Sequence, residues 1–156
     1  MATRLDDVFE HTLQDIYYAE NALLKALPQM EKAAKSAELK KAFREHAAET
    51  RQQVAILEKV FNDIGKKASG EKCDAIEGLI KEADGLKDEF EGKALDAALI
   101  GAAQAVEHYE IARYGTLREW AKTLGHEEAA NRLGEILDME KAANAKLTGI
   151  GVELVA

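Results

Sequence analysis

The stretch Glu107-His-Tyr-Glu110-Ile-Ala-Arg-Tyr114-Gly-Thr-Leu117 decides what kind of fold this chain forms. Projected at about 100° per residue, Glu107, Glu110, Tyr114 and Leu117 share one face with Ala103. Spacings of three and four mark a helix, and two positions on its apolar face are carboxylates. This helix is predicted from about Ala94 to Leu124, where Gly125 stops it. Three other long periodic segments surround it. The first runs from about Leu5 to Lys35 on Leu5, Phe9, Leu13, Ile16, Tyr17, Leu23, Leu24, Leu27 and Met30. Pro28 lies inside it and denies the Leu24 carbonyl its partner, so a kink is expected there. The second runs from about Glu38 to Ile64 and ends at Gly65; the last runs from about Glu127 to Thr148 and ends at Gly149. Short connections at Ser36-Ala37 and Gly125-His126 make two antiparallel hairpins. Roughly 28 residues join the hairpins, and Cys73-Asp-Ala-Ile-Glu-Gly-Leu-Ile-Lys-Glu within them has the pattern of a short amphipathic helix. No segment alternates with period two. The expected fold is all-α: a four-helix bundle of two antiparallel hairpins joined by a long crossover with a short extra helix, in a single domain over residues 1–156.

Composition narrows the function classes. At 156 residues with 47% hydrophobic content, the chain can bury a core of its own. A single cysteine, Cys73, excludes an internal disulfide. No stretch approaches the roughly 18 uncharged residues of a membrane span. The opening Met1-Ala-Thr-Arg-Leu-Asp-Asp has no apolar signal core, so the expected location is cytoplasmic. A net charge of −8 without a basic cluster argues against nucleic acid as the main partner, and no membrane partner is expected.

The inward stripes carry the chemistry. Glu20 falls among Leu13, Ile16, Leu24 and Leu27; His46, Glu49 and Gln53 lie between Phe43 and Ile56; Glu107 and Glu110 share their face; Glu140 lies between Leu133, Ile136 and Leu147, beside Asn144. A buried carboxylate is costly unless paired, protonated or bound to a cation. No stripe carries a mid-helix lysine, which leaves cations as partners. Oxygen-rich donors suit hard divalent ions, iron or manganese. Two such ions bring +4 against five glutamates at −5, with His46 as the one inward imidazole. Glu20 and Glu49 stand 29 residues apart, Glu107 and Glu140 stand 33 apart, and each pair spans one hairpin. Up one helix and down the next returns the chain to the same height, so the four form a box and Glu110 adds a fifth carboxylate. The expected metal ligands are Glu20, His46, Glu49, Glu107, Glu110 and Glu140, around two divalent ions, with iron expected first and manganese as the alternative.

Together these residues resemble the ferritin-like di-metal carboxylate bundle, with a glutamate on each of four helices plus Glu-x-x-His motifs. More narrowly, the chain is similar to the YciF-type stress-response family. The resemblance rests on Asp15-Ile-Tyr-Tyr-Ala-Glu20, Leu27-Pro28-Gln-Met30, His46-Ala-Ala-Glu49-Thr-Arg-Gln-Gln53 and Lys72-Cys73-Asp-Ala-Ile-Glu-Gly-Leu79, then on Glu107-His-Tyr-Glu110-Ile-Ala-Arg-Tyr114 and Glu140-Lys-Ala-Ala-Asn-Ala-Lys-Leu-Thr148. It implies a cytoplasmic homodimer with a bundle like the metal domain of rubrerythrin and no established reaction. The chain departs from the wider pattern at Gln52 and Ala143, three residues after Glu49 and Glu140, where histidines would stand. No Cys-x-x-Cys pair offers electron transfer.

His46 can be a ligand or a hydrogen-bonding neighbour of one. Gln53 and Asn144 read as hydrogen-bond partners of the ligands. Tyr17 and Tyr114 read as packing or as relays, and His11, His108 and His126 as solvent-facing. Two function classes follow: a redox metalloprotein acting on oxygen, peroxide or ferrous iron, and a non-catalytic stress protein stabilised by metal. An iron-storage shell has weaker support, because nothing here specifies a cage.

Overall fold

A computed structural model of the protein describes residues 1 and 3–155. Among these residues five α-helices follow in order: α1 (Leu5–Ala33), α2 (Ala37–Asp63), α3 (Asp74–Gly85), α4 (Gly92–Thr123) and α5 (Glu127–Val155), with one 3₁₀ turn at Leu86–Asp88. Among the described residues there is no strand, and no helix is long and apolar enough to cross a membrane. The four long helices form the bundle: α1 packs on α2, α4 on α5, α2 on α5 and α1 on α4, with α3 against α1 and α4.

Local chemistry sets the turns. Ser36 Oγ accepts from the Leu39 N–H and caps α2. Gly65 and Gly125 take left-handed φ of +72° and +81°, which closes α2 and α4 at low cost. Behind them the Lys66 N–H donates to the Phe61 carbonyl at 2.9 Å, and the His126 N–H to that of Ala121 at 2.8 Å.

The start of α4 lies at the α1–α2 turn, because Asp96 accepts from the backbone N–H groups of Lys35 and Ser36 at 2.7 and 2.8 Å. The start of α5 lies at the other end, where Arg132 donates to Asp63 at 2.8 Å. The crossover therefore travels the length of the bundle, and α2 and α4 run in the same direction. Buried Asp96 ties the two hairpins through charge-assisted bonds. Asp96→Ala is expected to lower stability by about 2–3 kcal/mol in denaturant unfolding, since two backbone donors lose an ionic acceptor.

Along the inner faces Leu13, Ile16, Leu23, Leu27, Phe43, Leu57, Leu99, Leu117, Leu133 and Ile136 are essentially inaccessible. Each contributes roughly 1.5–3 kcal/mol of apolar burial. The helix passes through Pro28 without a break. One boundary differs from expectation: α5 does not stop at Gly149 but continues to Val155. Gly149 has no left-handed φ, Ile150 is buried, Leu154 packs on the core, and Gly151 passes against Ile100. Packing of the tail outweighs the helix penalty of two glycines.

Candidate metal centre

Four helices each send polar side chains to one level of the core. α1 supplies Glu20, α2 supplies His46, α4 supplies Glu107 and Glu110 from successive turns, and α5 supplies Glu140. All four glutamates have no exposed surface and His46 is 6% exposed. Two groups of three potential ligands form. The donor atoms of His46, Glu107 and Glu140 lie within 4.8 Å of one another, as do those of Glu20, Glu110 and Glu140. Glu140 belongs to both.

None of the eight carboxylate oxygens of Glu20, Glu107, Glu110 and Glu140 has a hydrogen-bond partner. His46 Nε2 stands 2.8 Å from a Glu107 oxygen, but no hydrogen bond joins the two atoms. Among the described residues no lysine or arginine pairs with these glutamates; the other ion pairs involve different groups. Asp96 provides the contrast, because its buried carboxylate is answered by two N–H groups. Native proteins rarely leave buried polar atoms unpartnered, and leaving eight in one spot calls for a ligand.

The electrostatics agree. Burial, then the Glu140 charge, pushes Glu20 up to about 8. Burial first, with Glu107 adding to it, lifts Glu140 to about 8. Burial above all, reinforced by the charges of Glu20 and Glu49, lifts Glu107 to about 7. Burial and then Glu20 and Glu140 hold Glu110 well above the carboxylate range. Four ionised carboxylates at −4 are neutralised by two divalent cations, and the nitrogen and oxygen donors fit iron or manganese. The residues present therefore fit the expected pair of ions.

Glu49 stands apart. It is half-buried, one turn beyond His46, and belongs to neither group, although its charge is felt at Glu107. His46 lies among the donors instead. Tyr114 is fully buried with an unpartnered hydroxyl; burial first, then the charges of Glu20, Glu110 and Glu140, raises its pKa. Gln53 is buried with an unpartnered carbonyl oxygen, whereas Asn144 accepts from Gln104 at 3.4 Å. Tyr17 donates to Glu58 at 3.2 Å. His108 is exposed, as expected, and exposed His11 pairs with Glu71. His126 departs from the solvent-facing expectation: it is half-buried and stacks on Phe9 at 6.0 Å. A groove of about 1020 Å³ between α1 and α3 is lined by none of the donors.

One polar network was not foreseen. The Tyr109 hydroxyl donates to Asp15 at 2.8 Å and lies 3.1 Å from the sulfur of buried Cys73, which also caps α3. Its three members sit inside the motifs that carry the family resemblance, and their co-occurrence was the available signal.

Comparison with known proteins gives a consistent set. The profile of the family described as "Domain of unknown function (DUF892)" matches residues 4–156. Protein YciF of Escherichia coli strain K12 is 43% identical over 153 residues, covering 97% of this chain and 92% of that protein. The crystal structure of the E. coli stress protein YciF superposes with a TM-score of 0.95 at 42% identity, covering 99% of this chain and 98% of that one. YcfI from Rhodopseudomonas palustris superposes with a TM-score of 0.91 at 48% identity, covering 94% of each chain.

Proposed function

The chain belongs to the DUF892 family, and on that footing we propose that it is a stress-response protein whose buried carboxylate box binds two divalent metal ions and uses them in oxidation–reduction. The carrying observation is the set of eight unpartnered carboxylate oxygens gathered at one level of the core, with no lysine or arginine paired to them among the described residues. His46 and Glu107 would hold one ion and Glu20 and Glu110 the other, with Glu140 within reach of both. Ferrous or manganous ions bound there would supply reducing chemistry toward oxygen or peroxide. The bundle fixes the donors on rigid helices and leaves the four glutamates with no surface open to bulk water. Tyr114, with its hydroxyl free beside Glu20, is placed to hydrogen-bond that carboxylate and hold its orientation.

Anaerobic titration with manganous ion, followed by loss of the free-ion resonance, tests binding: the wild type takes up both ions, and Glu107→Gln loses the one that His46 shares. Mixing the ferrous-loaded protein with peroxide then tests the redox step. Each ferrous pair is expected to give two electrons and, with two protons, reduce one peroxide to two waters, leaving ferric absorbance. Tight metal binding without consumption would favour a structural metal, a role supported by Gln52 and Ala143 standing where histidines would be. We extend the proposal to a cytoplasmic homodimer. Sedimentation at micromolar concentration checks the assembly, and a stable monomer or a many-subunit shell contradicts it.

A further inference from the structure

A centre closed on all sides must still admit its ions. Glu20, Glu107, Glu110 and Glu140 have no exposed surface, and His46 keeps only 7% of its side chain exposed. Glu49 is the one expected ligand with substantial exposure. His46 and Glu49 both line a small cavity of about 130 Å³ between α2 and α5. That volume holds about four waters at roughly 30 Å³ each, room for a partly hydrated cation. The space exists because Ala42 and Ala143 present only methyl groups to it. Glu45 and Lys146 line it as well, and their side chains form an ion pair from α2 to α5. Both are well exposed, so the pair is weak and opens readily. At the inner wall the imidazole of His46 has its Nε2 unpartnered and 2.8 Å from Glu107.

We propose that this α2–α5 cavity is the loading port of the metal centre: Glu49 captures a hydrated divalent cation at the rim, and His46 hands it on to Glu107. The inference rests on the proposed metal binding. A capture site must be anionic, partly wet and adjacent to a final ligand, and Glu49 alone among the expected ligands meets all three conditions. Lys146 places a positive charge at the same cavity, offset only in part by Glu45, and so opposes cation entry. The alanine at position 143 thereby gains a role: it leaves the route clear.

Stopped-flow loading of the metal-free protein with cobaltous ion, read by visible absorbance, tests the port. Glu49→Gln is expected to slow loading about tenfold and weaken its salt dependence, since it removes the focusing charge. Ala143→Leu should slow loading further while the cobalt bound at equilibrium stays unchanged, and Lys146→Gln should speed it. Circular dichroism establishes that each variant is folded, and Glu49→Gln decides the matter if the leucine variant is not. Wild-type loading rates in both Ala143→Leu and Glu49→Gln would overturn the port and leave the metal centre standing. Failure of the wild type to bind cobalt at all would overturn the centre and the port together.

Discussion

Glu140→Gln is expected to abolish binding at both cation positions at once, weakening affinity by about 100-fold or more, since its carboxylate serves both groups of ligands. Glu20→Gln and Glu107→Gln each remove a donor from one group only, so each should spare part of the binding. The same Glu140 substitution should stabilise the metal-free protein at pH 7. In the folded bundle Glu140 titrates near 8, against an ordinary value of 4.5, so keeping it neutral at pH 7 costs folding energy that a glutamine does not. The gain is on the order of 1–3 kcal/mol. The two effects have opposite signs, and thermal melts of metal-free protein with a manganese titration read both. A glutamate serving as a structural ion-pair partner would behave in reverse, its loss destabilising the fold.

The second large effect is a pH dependence that metal reverses. Glu20 and Glu140 titrate near 8 and Glu107 near 7 in the folded state, all above the ordinary 4.5. For groups raised on folding, the stability they contribute is fully present below the unfolded value and is lost as pH rises through the folded values. The metal-free protein should therefore lose stability from about pH 4.5 to pH 8, by several kcal/mol in sum. Divalent metal favours the ionised carboxylates and binds only the folded bundle, so the loaded protein should gain stability over the same range. Uptake should release protons, and binding should tighten as pH rises. Melts across that range with and without manganese check it; parallel curves would contradict it.

The helices and the four buried glutamates were legible in the sequence because a charge on an apolar stripe breaks the pattern that defines the stripe. Glu20, Glu107, Glu110 and Glu140 each broke it, and all four are fully buried. The split between His46 and Glu49 was not legible. They stand three residues apart on one face, about 60° from each other around the helix, and periodicity does not say which end of that arc meets the centre. The rotation of α2 against α4 and α5 turns His46 inward and leaves Glu49 at the rim. The end of α5 escaped for a related reason. A glycine stops a helix only when it takes a left-handed φ, as Gly125 does, and tertiary packing through Ile150 and Leu154 decided otherwise at Gly149. The Asp15–Tyr109–Cys73 network joins residues up to 94 positions apart, and only the path of the crossover along α1 and α4 brings them together. Asp96 was hidden because its partners are backbone groups, which leave no mark in a sequence.

Elemental analysis of protein purified without chelator and dialysed to remove loosely held ions tests the central claim most directly. The carboxylate box predicts about two equivalents of divalent metal per chain, iron first and manganese next, falling to near zero in Glu140→Gln. A correctly folded wild-type protein that carries no metal and takes none up on exposure to ferrous or manganous ion would contradict it.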